Sequence, residues 1–269
     1  MREERGGVVQ PAATEMNTLT EDYYTQYLEA QRSHWWFLGR ERVLQSLVAS
    51  PLSGTASPAV ADVGSGPGRA ARLLFPNASL AAFDISVRSL RAYVEANQRV
   101  VADAARLPCR SRSFSAVCAF DILEHLKDDE GALREWHRVL KPGGWLVLSV
   151  PAIPALWSRH DEANQHHRRY RAGALRRLLA AENFQDVRTT YFNTLLLPGI
   201  AILRWSQRLF PQGNPSDELN PSLELDLQRR FPRWIERCFE SALRLEALWI
   251  RRWDLPIGIS LGVVARARP

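Results

Sequence analysis

Lysine is almost missing from this chain: of its 35 basic residues, only Lys127 and Lys141 are lysines. Nothing in it resembles a phosphate-gripping loop, which needs a lysine closing a glycine-rich turn. Cysteine is just as scarce. Cys109, Cys118 and Cys238 are odd in number, and their spacing fits neither a zinc site nor a disulfide framework. That points to a reducing compartment, so the expected location is the cytoplasm. Residues Met1 to Glu15 hold no apolar segment of signal-peptide type. No uncharged apolar run reaches the ~18 residues of a spanning helix. The longest, from Leu195 to Leu203, is about half that length.

What is present is arginine. The net charge is +6 and the isoelectric point near 9.6. The arginines are scattered and interrupted by acids, as a GC-rich coding sequence would leave them, and they form no concentrated basic stripe. Nucleic acid is therefore not an expected partner, while an anionic small molecule or a membrane surface stays open. Hydrophobic residues at 46% and charged residues at 24% are ordinary for a globular chain. Its 269 residues suffice for one large domain with an embellishment, or two modest ones.

Read along its length, the chain divides into five parts. Residues 1–18 are polar and read as a frayed leader. Residues 19–50 are expected to be helical, capped at Thr20 and broken near Gly39, an N-terminal part that family resemblance implies to be a lid. Residues 51–192 alternate short apolar runs with helical segments. Strands are expected at 60–63, 80–83, 100–102, 115–120, 145–150 and 187–192, and another at 260–265. Such alternation implies an α/β fold with a mostly parallel sheet covered on both faces. Residues 193–258 break the rhythm, being far longer than an ordinary connection. With Trp205, Trp234, Trp249, Trp253 and many arginines, this segment reads as a helical insertion serving as a substrate lid. An amphipathic packing helix, a peripheral membrane contact and a homodimer surface all stay open for it. Residues 259–269 hold the last strand and tail.

The sharpest motif follows the first strand and opens a helix: Asp62-Val63-Gly64-Ser65-Gly66-Pro67-Gly68-Arg69. Glycines there let the backbone turn tightly and approach a ligand with no Cβ in the way. Asp84, with Ile85 beside it, ends the second strand, where a carboxylate can accept two hydrogen bonds from a ribose diol. Asp103 and Ala104 follow the third strand, where an adenine edge would lie. Each acid alone has a bland reading, as a helix-terminal or loop acid. Together they sit at the carboxyl ends of successive strands, where open α/β sheets bind ligands.

On these residues the sequence resembles the class I S-adenosylmethionine (SAM)-dependent methyltransferases, over roughly residues 34–151 and the last strand. The resemblance implies a Rossmann-like seven-stranded sheet whose last strand is antiparallel and lies beside the sixth. It implies SAM as cofactor and S-adenosylhomocysteine as product. Phe120, Asp121, Ile122 and His125, in Phe120-Asp121-Ile122-Leu123-Glu124-His125, resemble the family segment lining the methionine side of SAM. Leu140-Lys141-Pro142-Gly143-Gly144 matches the turn before its fifth strand. Arg69, where a dinucleotide enzyme would carry its third glycine, argues for SAM over a dinucleotide.

The segment His34-Trp35-Trp36-Phe37 is similar to that of a bacterial subgroup acting on glycan-linked, lipid-linked or natural-product substrates. There Trp36 would offer an aromatic face to the sulfonium, and Arg40 a fork to the SAM carboxylate. His160, Asp161, His166, Arg169 and Tyr170 match a His-Asp…His…Arg-Arg-Tyr pattern of the same subgroup. His160 is the expected base for a hydroxyl acceptor, with Asp161 orienting it and His166 nearby. Arg169 and Tyr170 are expected to hold substrate. No metal is assigned, because no second carboxylate sits at ligand spacing. The leading expectation is O-methylation of a small molecule, as a monomer or homodimer. N- or C-methylation, and a SAM-binding protein that transfers no methyl, remain alternatives.

Overall fold

The computed structural model describes residues 4–5, 8–9, 30–31, 33–49, 58–202 and 232–269. Seven core strands are β3 (Ala59–Val63), β4 (Ser79–Asp84), β5 (Gln98–Val101), β6 (Phe114–Phe120), β7 (Leu140–Pro151), β8 (Phe184–Phe192) and β9 (Ser260–Ala267). The two-residue strands β1 (Glu4–Arg5) and β2 (Val8–Val9) extend one edge. The order is β1-β2-β5-β4-β3-β6-β7-β9-β8. Strands β3 to β7 pair in parallel, and β9 runs antiparallel between β7 and β8. This is the Rossmann-like class I sheet, with the antiparallel last strand beside the sixth. Val8–Val9 lies within the stretch expected to be frayed. It pairs in parallel with β5, which would otherwise be an open sheet edge.

The apolar runs are strands because both sheet faces are covered, so neither side of a strand must be polar. Ala61, Val63, Val117, Leu146 and Leu148 belong to one core with Leu133 and Trp136 of helix α4 (Asp129–Val139) and Leu175 and Leu179 of α6 (Ala172–Ala181). Val60, Leu80, Cys118 and Val147 belong to the opposite core. Val43 and Leu47 of α1 (Trp35–Val48), Leu90 of α3 (Val87–Ala92) and Ala247 and Ile250 of α7 (Arg233–Ile250) complete it. Short helices α2 (Ala70–Leu74) and α5 (Arg159–Ala163) finish the set. The expected turn at Lys141-Pro-Gly-Gly is instead part of a longer β7, which absorbs it through a register shift against β6 between Phe114 and Ala116.

Gly39 does not break the first helix. It sits mid-way along α1, where a Cβ would lie 2.1 Å from Leu243 Cδ1 and 2.8 Å from Leu243 Cβ. The missing side chain is a notch that lets α7 cross close to α1. Helix α7 turns Leu243, Glu246, Ala247 and Ile250 inward, the three-and-four spacing of one helix face. Buried Glu246 accepts a hydrogen bond from the Leu195 backbone N–H, tying α7 to the end of β8. Part of the 193–258 segment is thus helical, at 197–202 and in α7. Trp205 lies outside the described residues. Among the described residues no helix is long and apolar enough to cross a membrane.

Asp62, near the end of β3, is 3% exposed. Burial pushes its carboxyl up to about 7, with Asp84 adding to the rise and Tyr93 and Arg40 opposing it. The folded state thus keeps a proton that the unfolded chain gives up near pH 4. The stability it carries is present at low pH and lost as pH rises through about 7. Asp62→Asn should therefore raise the melting temperature of the ligand-free protein more at pH 8 than at pH 5. Thermal unfolding across that range should show a gain of roughly 1–3 kcal/mol at the alkaline end. Gly39→Ala should destabilise by roughly 1–3 kcal/mol, because overpacking against Leu243 outweighs the ~1 kcal/mol of helix propensity that alanine adds. In urea denaturation, Leu243→Ala in the same chain should recover part of that loss.

Candidate SAM site and the histidine loop above it

Because the core strands run in parallel, their carboxyl ends share one edge, and the candidate residues gather there. The turn after β3 carries positive φ at Gly64 (62°), Gly66 (54°) and Gly68 (85°), a region that side chains rarely adopt. Its glycines also make room. A Cβ on Gly64 would lie 2.4 Å from Ile122 Cγ1, and one on Gly68 2.1 Å from the Tyr93 ring. The Gly66 N–H donates to Asp84 Oδ2 at 2.7 Å, and the Ser86 N–H to Asp84 Oδ1 at 2.7 Å. Ser65 N donates to the Phe83 carbonyl at 3.1 Å. The turn is thus stitched to the end of β4. Asp84 keeps further lone pairs, and beside it Ile85 is 47% exposed, an apolar ledge at the mouth. Burial raises the Asp84 carboxyl, and the backbone donors Ser86, Gly66 and Ile85 pull it back.

Asp103 is exposed and caps its own turn, accepting from Ala105 N at 2.8 Å. Ala104 is buried, and its carbonyl accepts from Trp136 Nε1 at 2.9 Å. Asp121, at the end of β6, takes a left-handed φ of 52°, and its N–H is held by the Ser149 carbonyl. Its carboxylate accepts from Ser149 Oγ at 2.9 Å and pairs with Arg40. Arg40 is buried, with its guanidinium 4.9 Å from the centroid of Trp36 and 5.4 Å from that of Phe37. The fork expected to meet the SAM carboxylate is thus engaged by Asp121, which fixes α1 to the end of β6.

The donor set suits SAM. Asp62, Asp84, Asp121 and Glu124 surround the site against Arg40, with no lysine and no phosphate cradle. Such a balance favours a sulfonium cation and a ribose diol over a phosphate. The glycine turn leaves space where side chains would otherwise stand.

Beyond β7, residues 152–170 form a loop closed at its neck. Ala152 and Tyr170 bridge in parallel, Tyr170 N donates to the Pro151 carbonyl at 2.9 Å, and Ile153 N to the Tyr170 carbonyl at 3.0 Å. Buried Arg169 binds the neck and the tip together: Nη1 donates to the Ala152 carbonyl at 3.0 Å and Nε to Asp161 Oδ1 at 2.7 Å. Tyr170 is buried too, its hydroxyl donating to Asp129 Oδ2 at 2.9 Å, while Arg168 pairs with Asp129 at 2.6 Å. The two residues expected to hold substrate thus make internal hydrogen bonds that brace the loop.

Asp161 accepts from Ser158 N at 2.9 Å and lies 3.0 Å from His166 Nδ1. Burial alone would raise its carboxyl, but hydrogen bonds from His166 and Arg169 hold it well below the usual carboxylate range. Asp161 thus orients His166, and the Nε2 of neighbouring His160 lies 3.2 Å from Asn164 Nδ2. The His166 ring meets His125 edge to face at 4.6 Å and stands 6.3 Å from His160. Burial, then His166, pushes His125 down to about 4, so it is neutral at physiological pH. Glu124 is fully buried, and neither carboxylate oxygen has a hydrogen-bond partner. Burial and then Asp121 push its carboxyl well up.

The fold thus gathers Gly64, Ser65, Gly66, Gly68, Asp84, Ile85, Asp103, Phe120, Asp121, Ile122 and His125 along one edge, with His160, Asp161 and His166 above it. Asp62 and Ala104 lie buried beneath. Glu124 was not singled out from sequence. Its only signal was the spacing Asp121-x-x-Glu124-His125, which reads equally well as a packing turn.

The family model of a methyltransferase domain matches residues 61–148, from β3 into β7. A demethylmenaquinone methyltransferase of Chlorobaculum tepidum is 29% identical over 141 residues, covering 50% of this chain and 56% of that protein. The chain thus spans about half the length of the curated relative it matches. Among solved structures, a Galdieria sulphuraria protein described as a sarcosine dimethylglycine methyltransferase superposes with a TM-score of 0.59 at 17% identity, covering 92% of this chain and 99% of that one. The cyclase SpnF gives 0.55 at 20% identity, covering 88% and 84%. A Haemonchus contortus phosphoethanolamine N-methyltransferase, solved with SAM, gives 0.52 at 15% identity, covering 94% and 61%. At these identities the structural likenesses speak for the fold alone. With the glycine turn, its acids and the strand order agreeing with the matched domain, residues 61–148 form a methyltransferase domain of the class I fold.

Proposed function

We propose that this protein transfers a methyl group from SAM to a hydroxyl of a small molecule, of the glycan-linked, lipid-linked or natural-product class. The observation that carries the reading is the Asp161–His166 pair on the braced loop. Asp161 takes Nδ1 of His166, whose ring packs edge to face on His125, and leaves Nε2 for an acceptor. Bound SAM supplies an electrophilic methyl carbon on sulfur. The acceptor oxygen forms a bond to that carbon as the carbon–sulfur bond breaks, and the hydroxyl proton must leave. An amine that is already neutral needs no such help before attack, which is why a cluster of basic atoms favours an oxygen acceptor. The chain's own share is alignment by the glycine turn and Asp84, and activation of the hydroxyl at the imidazole–carboxylate cluster. His160 flanks that cluster, and Arg169 and Tyr170 keep the loop in place.

Two substitutions separate binding from chemistry. Asp84→Ala should weaken SAM binding at least tenfold by calorimetry, since it removes the ribose partner and loosens the Gly66 N–H. Unchanged affinity would contradict the ribose assignment. His166→Ala should lower S-adenosylhomocysteine formation with a hydroxylated acceptor by roughly 100-fold or more, with SAM affinity within about threefold of the parent. Undiminished turnover would remove His166 from the chemistry.

A further inference from the structure

Glu124 is fully buried, and no side chain is hydrogen-bonded to its carboxyl group. Its backbone is pinned from two sides, through His125 N to the Ile122 carbonyl at 3.0 Å and through His167 N to the Glu124 carbonyl at 2.7 Å. The carboxyl group itself has no hydrogen-bond partner and no solvent, an arrangement proteins ordinarily avoid. The groups facing it are His125 and His166, and one ligand atom from each of the three lies within 4.8 Å of the other two. We propose that Glu124, His125 and His166 form a binding site for a divalent transition metal of the zinc, cobalt or manganese class.

Three features support the site. Two imidazoles and one carboxylate are the donor set of three-ligand zinc sites, which keep a fourth position open for water or substrate. The Asp161 carboxylate on His166 Nδ1 is the outer partner that metal-bound histidines ordinarily have, and it directs Nε2 inward. Arg40 pairs with Asp121 and Arg169 with Asp161, so the two nearby guanidiniums are held by those acids. Tetrahedral ligation wants donors roughly 3.3 Å apart, a closure that side-chain torsions can supply. Sequence spacing hid the site, because its carboxylate lies in the turn after β6 and not near His160. The metal's role rests on the methyl-transfer reading: with His166 as its ligand, an acceptor hydroxyl bound at the open position would be acidified by the metal in place of the free imidazole.

The test is to strip the purified full-length protein with a chelator and titrate it with Co2+, following the visible spectrum, and with Zn2+ by calorimetry. One equivalent of Co2+, displaced by Zn2+, is expected. Glu124→Gln and His166→Gln should each weaken uptake at least 100-fold, and Asp161→Asn 10- to 100-fold. Circular dichroism checks that each variant is folded, and His125→Gln replaces any that is not. No stoichiometric uptake by the parent, or uptake unchanged in these variants, would overturn the site. S-adenosylhomocysteine formation is scored separately on the metal-free protein. Full turnover there, without metal uptake, would sink the metal site and leave methyl transfer standing. Metal uptake with no turnover on any hydroxylated acceptor would do the reverse.

Discussion

The site depends on one constraint: the Asp84 carboxylate must hold the Gly66 and Ser86 N–H groups together. The Gly66 bond, 2.7 Å, joins the turn after β3 to the end of β4, and the Ser86 bond, also 2.7 Å, fixes the carboxylate within its own turn. A charged acceptor on backbone donors is a strong bond, and inside a partly dry site it gains further. The turn costs conformational freedom, because three glycines must take positive φ. It is also crowded, since Ile122 and Tyr93 fill the space any side chain there would need. The nucleotide end is therefore rigid before ligand arrives.

The reactive end is built differently. Its loop leaves β7 and returns at Tyr170, so its neck is part of the sheet while its tip is not. A buried guanidinium, Arg169, spans that gap by holding the Ala152 carbonyl and the Asp161 carboxylate at once. Asp161 passes the order on to His166. A second arginine, Arg40, plays the matching part on the other side, joining α1 to Asp121 at the end of β6. In both cases an arginine that sequence assigns to a ligand also pairs with an acid of the fold. A chain nearly without lysine thus uses its arginines as internal braces, where the planar fork suits two acceptors at once.

Sequence revealed the sheet because its signal is local. Runs such as Val60–Val63 and Leu146–Val150 are apolar on both faces, and the turn glycines mark where they stop. Gly39 misled for the opposite reason. A glycine inside a helix reads as a break, and only the approach of Leu243, some two hundred residues later, shows it to be a notch. Asp161 also bonds to His166, five residues on, a partner that adjacency in sequence does not show until the loop folds back. Glu124 carries no pattern of its own; its isolation becomes visible only once the fold closes over it.

The central claim is that an adenosyl group lies across the ends of β3 to β6 with its sulfur turned towards the His125–His166 cluster. A crystal structure with S-adenosylhomocysteine tests this most directly. The account predicts the ribose hydroxyls on the Asp84 carboxylate, the Gly64–Gly68 turn against the nucleoside, and the sulfur facing Glu124, His125 and His166. A ligand bound elsewhere, or one whose sulfur points away from that cluster, would contradict it.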